Sequence, residues 1–263
     1  GAALMISVDC GSVAFDALET ATQIGLDTIV IDHHISLDKL PDAIAIVNPN
    51  RIDQESTCKN LAAAGVAFLF LAALVKTLKE EDYFNKNKIE VPDLFAHLDL
   101  VALGTVCDVM SLTGLNRAFV SQGLKVARKR NNIGYTALCD IAGINEAINC
   151  YHLGFVIGPR INAGGRVGKS DLGANLLSSI DQLAAKDMAQ ELNRHNEDRK
   201  VIEINILEEA FAKAEMQKNE SMIFVSGDGW HPGVIGIVAG RIKEKYNKPC
   251  AVIAINDSIG KAS

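Results

Sequence analysis

The sequence has few aromatic residues, no excess of positive charge and no long apolar run. Aromatic side chains make up 5% of its 263 residues, with Trp230 the only tryptophan, whereas hydrophobic residues make up 48% and charged residues 22%. This composition excludes general disorder and is typical of a soluble globular protein. No uncharged apolar stretch reaches the roughly 18 residues that a membrane span requires. The longest candidate, residues 61–75, predicts a buried helix, so we expect no membrane association.

Charge and cysteine spacing exclude two further kinds of site. The 26 basic residues are outnumbered by 32 acidic ones, which gives a formal net charge of −6. A uniformly basic nucleic-acid surface is therefore excluded, whereas a local basic groove and clustered metal-binding carboxylates are not. The six cysteines form no Cys-x-x-Cys pair, which disfavours a zinc cage. We expect reduced, buried thiols of a cytoplasmic protein.

Apolar runs and capping signals predict an α/β fold. Strands at 4–8 and 28–31 flank a helix over 13–24, which Ser12 is predicted to cap and Gly25 to end. A strand–helix–strand unit of this kind predicts a parallel pair with a right-handed crossover. The strand at 4–8 is predicted to be buried. The other predicted elements are a strand at 43–47, helices at 61–79, 94–106 and 116–130, and a second α/β unit with strands at 222–225 and 251–255 around a helix at 233–246.

A long helical pattern runs over residues 181–218 and is polar on all sides at 193–200. A helix that is polar all round commonly crosses solvent between two domains. The alternative is two helices with a loop at 193–200. We therefore predict a parallel-sheet domain at 1–180, a connecting helix at 181–218 and a smaller α/β domain at 219–263, with the active cleft between the two domains.

Acidic residues follow both predicted parallel strands. Asp9 follows the first strand, and Asp32, His33 and His34 follow the second. The carboxyl ends of parallel strands face the crevice where ligands bind. Oxygen and imidazole donors together suit manganese or magnesium. Asp108 follows an apolar stretch that should bury it, and a buried carboxylate needs a partner such as a metal ion. Taken singly, Asp9 is equally well explained as a helix cap or turn residue, and for Asp108 that explanation is the better one.

Several motifs occur in a fixed order along nearly the whole chain. They are Val8-Asp9-Cys10-Gly11, Asp32-His33-His34, the segment 60–68, Leu103-Gly104-Thr105-Val106-Cys107-Asp108-Val109, Asn116-Arg117, the segment 158–166 and the segment 229–239. In this order they resemble the DHH phosphoesterase superfamily, and within it the single-strand-specific exonucleases. The resemblance implies a parallel-sheet DHH domain joined by a long helix to a smaller α/β DHH-associated domain.

The resemblance also implies a role for each residue of the predicted metal site. Asp9 would bridge two divalent ions, manganese or magnesium, and His33 and Asp108 would bind one of them. His34 would face the scissile phosphate, while Asp32 would orient the neighbouring imidazoles. Two such ions can hold an attacking hydroxide and stabilise the leaving oxygen.

Further residues of the chain are candidates for contacting the nucleic acid. Arg160 and Arg166 lie in a predicted glycine-rich loop at 158–168 and suit phosphate binding, and Asn162 and small residues between them would let a backbone approach. His231 precedes Pro232-Gly233, and Gly233 is predicted to open a helix whose N-terminus binds a phosphate. Trp230 is predicted either to stack on a base or to be buried.

The implied activity is hydrolysis of single-stranded DNA from the 5′ end to mononucleotides, in DNA repair and recombination. Helicase and single-strand-binding protein are the implied partners. The alternatives are an oligonucleotide or cyclic-dinucleotide phosphodiesterase, a non-catalytic scaffold on the same fold, and a class II inorganic pyrophosphatase. The long helix disfavours the first, the intact Asp and His residues disfavour the second, and the segment 158–168 disfavours the third.

Both ends of the sequence lead us to expect a fragment of a longer protein. The family's first motif, which carries two metal-binding aspartates, would precede residue 1. The end of the associated domain would begin at residues 260–263. We therefore expect the chain alone to bind at most one ion weakly and to be inactive or nearly so, because a single ion cannot stabilise both the attacking and the leaving oxygen.

Overall fold

The first sheet contains three parallel strands in the order β1 (Leu4–Val8), β2 (Asp27–Ile31) and β3 (Ala45–Val47). Helix α1 (Phe15–Gln23) connects the first two strands, and Val8 is in register with Ile31. This confirms the predicted strand–helix–strand unit. The structure is a computed structural model that describes residues 1–263.

Two expectations about the first strand and helix are wrong. β1 is largely exposed, because it is an edge strand that pairs only with β2. Ser12 does not cap α1, which begins at Phe15 and has no side-chain cap. Ser12 is instead fully buried, and its N–H donates to the Asp32 carboxylate at 3.0 Å.

The chain divides into two compact units, the first formed by residues 1–131 and 146–155 and the second by residues 132–145 and 156–263. The first unit contains the sheet β1–β3, and its core includes Ile31, Val66, Leu98, Val101 and Phe119. Its remaining elements are α2 (Ala63–Glu80), α3 (Tyr83–Asn87), a 3-10 helix (Leu94–His97), α4 (Leu98–Cys107), α5 (Gly114–Ala127) and the first part of a π-helix (His152–Ile157).

The second unit contains the long helix and the second sheet. Strands β4 (Ile223–Asp228) and β5 (Cys250–Asn256) are parallel, and β6 (Ile259–Ala262) is antiparallel to β5. The other helices are α6 (Ile133–Ile141), α7 (Gly158–Val167), α8 (Leu172–Leu177), α9 (Gln182–Glu215) and α10 (Ile235–Tyr246). The predicted α/β fold class is confirmed, while the domain boundaries at 180 and 218 stay a prediction.

Helix α9 is continuous over 34 residues, so the single-helix prediction is confirmed over the two-helix alternative. Asp181 caps it by accepting hydrogen bonds from the N–H groups of Leu183 and Ala184. The segment 193–200 is, however, not exposed on all sides. Asn196 is only 1% exposed, and Asn193 accepts a hydrogen bond from Arg160. Some of its polar residues contact other parts of the protein and not water. The sequence cannot distinguish these two cases, because the same polar side chains suit both.

Residues 158–167 form helix α7 and not the predicted glycine-rich loop. Pro159 lies in the first turn, where its missing N–H costs nothing. Gly164 lies so close to α9 that a Cβ atom there would be 3.0 Å from the Leu192 Cδ2 atom. The small residues of this segment therefore permit close packing of α7 on α9.

The close approach of α4 and α5 also requires a glycine at position 123 of α5. A Cβ atom on Gly123 would overlap the Leu98 carbonyl oxygen and lie 2.5 Å from the Ala102 Cβ atom. Because α4 and α5 must separate to admit a methyl group, we expect Gly123→Ala to destabilise the chain by about 3 kcal/mol, the upper range for overpacking. Urea unfolding measures this. Gly240→Ala, at a helical glycine with open space around it, is the control and should be neutral or slightly stabilising. Equal midpoints for the two variants would contradict the argument.

The six cysteines are all free, as expected, but only Cys139 is buried and Cys10 is exposed. The expectation of six buried thiols is therefore wrong, since most of these cysteines lie near the ends of elements and not in the two cores. No helix combines the length and the apolar character that crossing a bilayer requires.

Candidate metal centre

The carboxyl ends of β1 and β2 bring the predicted ligands together. Asp9 directly follows β1, and its N–H donates to the Ile31 carbonyl at 2.9 Å, so it lies beside Asp32 and His33. Asp9 has a φ of 64°, a left-handed conformation that aspartate adopts more readily than most residues. Asp108 joins the group as the residue that ends α4.

His33 lies at the centre of the group. Its Nδ1 atom is 3.0 Å from the Leu61 carbonyl oxygen, which can only accept, so Nδ1 carries the proton. Its Nε2 atom lies 3.2 Å from an Asp9 carboxylate oxygen and 3.4 Å from an Asp108 carboxylate oxygen. The Nε2 atom and one oxygen of each carboxylate therefore converge at one point. This arrangement fits a divalent cation, because a second hydrogen bond that fixes the imidazole tautomer is usual for metal-binding histidines.

Asp32 is only 1% exposed and orients its neighbours. One carboxylate oxygen accepts from the backbone N–H groups of His33 at 2.8 Å and His34 at 3.3 Å, and from the His34 Nδ1 atom at 2.7 Å. Burial opposes ionisation of Asp32, but its hydrogen bonds with His34, Ser12 and His33 outweigh burial and lower its pKa. The hydrogen bond to Asp32 raises the pKa of His34.

Two details differ from expectation. Asp32 orients only the His34 ring, since the Leu61 carbonyl holds the His33 ring. The Asp108 side chain is 42% exposed and not buried, because it lies just beyond the apolar residues of α4. Donor atoms of Asp9, His33 and His34 lie within 4.8 Å of one another, so His34 is also within reach of an ion.

Several groups that support the site are not among the residues that the sequence pattern indicated. Asn48 donates to the Ser12 hydroxyl at 2.7 Å and to the His34 carbonyl at 2.8 Å. Asn50 donates to the His33 carbonyl at 2.6 Å. These side chains fix the backbone of the Asp-His-His segment. The only signal in the sequence is the Asn48-Pro49-Asn50 run directly after the third strand, which by itself indicates no more than the end of that strand.

Asn116 braces the two segments that hold His33 and Asp108. It is 1% exposed, and its amide donates to the Asn60 carbonyl at 2.5 Å and to the Ser111 carbonyl at 3.0 Å. Asn60 precedes the Leu61 carbonyl that fixes His33, and Ser111 lies in the loop that begins at Asp108. Asn116 is therefore a positioning residue for both ligands.

Comparison with known proteins shows what the chain resembles. Residues 3–105 match the N-terminal domain of the DHH family. The chain is 38% identical to the single-stranded-DNA-specific exonuclease RecJ of Salmonella typhimurium, over 97% of the chain and 45% of that protein. For RecJ of Bacillus subtilis the identity is 35%, over 100% of the chain and 32% of that protein. The chain thus spans less than half the length of these curated relatives.

The same similarity to RecJ is found among solved structures. A crystal structure of exonuclease RecJ bound to manganese superposes with a TM-score of 0.80 at 31% identity, covering 96% of the chain and 61% of that structure. RecJ of Thermus thermophilus in complex with Mn²⁺ also gives 0.80, at 32% identity, covering 96% of the chain and 36% of that structure. Over nearly its whole length the chain is therefore similar to RecJ exonucleases, and its residues 3–105 match the DHH family.

Three of the candidate DNA-binding residues lie together in the second unit. Arg166 donates to the Gly233 carbonyl at 3.1 Å, and the Gly233 N–H donates to the His231 Nδ1 atom at 3.1 Å. Gly233 does not open a helix, since α10 begins at Ile235 and Pro232-Gly233 form a turn before it. A Cβ atom on Gly233 would overlap the Arg166 carbonyl, so glycine permits this contact.

The other two candidates are placed differently. Arg160 is half-buried, with its Nε atom bonded to Asn193 and one Nη atom to the Val156 carbonyl, and burial lowers its pKa. Asn162 is exposed on α7. Trp230 is 4% exposed and donates to Glu209 at 2.8 Å, so burial and not base stacking accounts for it.

Proposed function

We propose that the chain is part of a metal-dependent exonuclease that hydrolyses single-stranded DNA from its 5′ end and releases mononucleotides. The observation that carries this proposal is the convergence of the His33 Nε2 atom with the carboxylates of Asp9 and Asp108. The similarity to proteins named single-stranded-DNA-specific exonucleases, over nearly the whole chain, supports the choice of substrate.

Asp9, His33 and Asp108 hold divalent metal ions in this proposal, with manganese or magnesium suited to the mixed oxygen and nitrogen donors. Two ions, when bound, activate a water molecule and neutralise charge on the phosphate. His34 lies beside this group with a raised pKa, so in its protonated form it can donate a hydrogen bond to a phosphate oxygen. Buried Asp32 holds the His34 ring in that orientation.

Arg160, Asn162, Arg166, His231 and Gly233 bind the DNA strand in the same proposal. The guanidinium of Arg166 and the imidazole of His231 are joined through Gly233, which supports a shared phosphate-binding role. We propose the cytoplasm as the location, DNA repair and recombination as the process, and a helicase and a single-strand-binding protein as partners.

The test is a nuclease assay of the full-length protein with manganese on single strands labelled at the 5′ or the 3′ end. We expect a 5′ label to appear as mononucleotide from the first turnovers, while a 3′ label stays on a shortening strand. An Asp9→Ala variant controls for contaminating nuclease. Release of the 3′ label first, or internal cuts, would contradict the proposed polarity.

Substitution of the two arginines should change how DNA binding depends on salt. We expect Arg160→Ala and Arg166→Ala each to weaken binding of a single strand and to reduce the salt slope by roughly 0.7 for each phosphate group that the variant no longer binds. Equilibrium binding over a salt series measures the slope. Arg241→Ala, which removes an exposed arginine paired with glutamates, serves as the control. An unchanged slope for both test variants would leave α7 with a purely structural role.

A further inference from the structure

Two aromatic side chains of the first unit lie stacked on each other and open to solvent. Tyr151 is 63% exposed and Phe155 is 74% exposed. Their ring centroids are 5.4 Å apart and their planes differ by 25°. The His152 ring also contacts Tyr151 edge-on, with centroids 6.0 Å apart. Because packed rings restrict one another's movement, the pair presents an ordered aromatic surface.

The backbone that carries this pair is fixed to the end of α4. Tyr151 precedes the π-helix, and Phe155 lies within it. The Cys107 thiol donates to the Leu153 carbonyl at 3.5 Å, and a Cβ atom on Gly154 would lie 3.4 Å from the Val106 side chain. Cys107 is the residue before Asp108, so the aromatic pair is built on the same helix end as a proposed metal ligand.

The size and surroundings of the pair indicate what it binds. Exposed Glu146 and Asn149 precede it in the chain, so the apolar surface of the pair does not continue along this segment. A stable protein interface buries about 800 Å² on each partner, which is far more than two rings offer. A single nucleobase matches a ring face in area, and stacking accepts any base because every base has a π face. π-helical turns occur frequently at functional sites.

We propose that Tyr151 and Phe155 form a stacking platform for one base of the bound single strand. This inference rests on the proposed function and adds a base-binding subsite to the phosphate contacts described above. The platform binds the base without reading its identity, and it holds the strand relative to the end of α4 that carries Asp108.

The test uses the full-length protein and a short oligothymidylate in which one position at a time is abasic, with binding measured without divalent metal. We expect Tyr151→Ala and Phe155→Ala to weaken binding of the intact strand by roughly ten-fold, a typical loss for one stacked base. Phe155→Leu, which stays apolar but has no ring, should lose as much. Tyr151→Phe should bind like the wild type.

The abasic series gives the decisive comparison. One abasic position should weaken wild-type binding by a similar factor and have little effect on Phe155→Ala, because that variant already lacks the ring on which the base stacks. Phe95→Ala, at an exposed phenylalanine of the same unit that is 68% exposed, is the matched control and should bind normally. Manganese binding, measured by electron paramagnetic resonance, should be unchanged in all variants.

The outcomes separate the platform from the proposed function. If the wild type binds and cleaves single strands but the alanine variants bind equally well, the platform is refuted and the function stands. If the variants bind manganese less well, the pair acts on the metal centre, and the platform is likewise refuted. If the wild type neither binds nor cleaves single-stranded DNA, both proposals fail.

Discussion

His33→Ala and Asp108→Ala are each expected to abolish manganese-dependent cleavage by the full-length protein while leaving the fold intact. His33→Ala removes the Nε2 atom, and Asp108→Ala removes a carboxylate oxygen that lies 3.4 Å from it. Losing a residue that merely orients a ligand costs roughly 10–100-fold in metal affinity or activity, so losing the ligand itself should cost more. The initial rate on a 5′-labelled single strand measures the effect.

A surface histidine provides the control for this experiment. His97 is exposed, lies in the 3-10 helix of the same unit and is not one of the convergent residues, so His97→Ala should keep the wild-type rate. Circular dichroism should show the same helix content in all variants. Manganese titration should show weaker binding for His33→Ala and Asp108→Ala only. A near wild-type rate in either of them would overturn the metal assignment.

Asp32→Asn is expected to lower the pKa of His34, to slow cleavage by roughly 10–100-fold and to destabilise the chain by about 1–3 kcal/mol. Asparagine preserves the volume but places an NH₂ group where a carboxylate oxygen now accepts from N–H donors. In the metal-free chain, NMR titration should place the pKa of His34 above its ordinary value of 6.5 in the wild type, and lower in the variant.

The destabilisation should also depend on pH in a defined way. The lowered pKa of Asp32 gives stability that is present above its ordinary value of 3.8 and is lost as the pH falls through its folded value. The raised pKa of His34 gives stability that is present below 6.5 and is lost as the pH rises through its folded value. The difference in unfolding free energy between the wild type and Asp32→Asn should therefore be largest between the two ordinary values, that is, between pH 3.8 and pH 6.5. Asp53→Asn, at an exposed aspartate paired with Arg51, should show no comparable maximum.

Much of the metal centre was predictable from the sequence, because it depends on topology. A strand, a helix and a second strand predict a parallel pair, and parallel strands end at the same edge of a sheet. That reasoning brought Asp9, Asp32 and His33 together without any coordinates. The two ends of α9 were predictable for a similar reason, since a periodic apolar face is a local property of the chain. Its continuity through the polar segment 193–200 was not, which is why the two-helix alternative stayed open.

The groups that hold the ligands in place were not predictable in this way. Asn116 is 56 residues from its partner Asn60, and the carbonyl that fixes His33 is 28 residues away from it. No local pattern encodes such pairs, because a polar side chain looks the same in sequence whether it contacts water or a distant backbone group. The same ambiguity applies to residues 193–200, whose polarity predicted a helix that crosses solvent although Asn196 is buried.

The sequence by itself therefore determined the fold class, the parallel strand pair and the identity of the convergent acidic and histidine residues, since these follow from local periodicity and chain topology. Only the tertiary structure decided which side chains are buried and which partners they bind. Ser12 became a donor to Asp32 instead of a helix cap, and Gly164 became a helix contact instead of part of a phosphate loop. The physical reason is that burial and hydrogen-bond partners depend on distances between segments far apart in the chain, which close only when the whole unit packs.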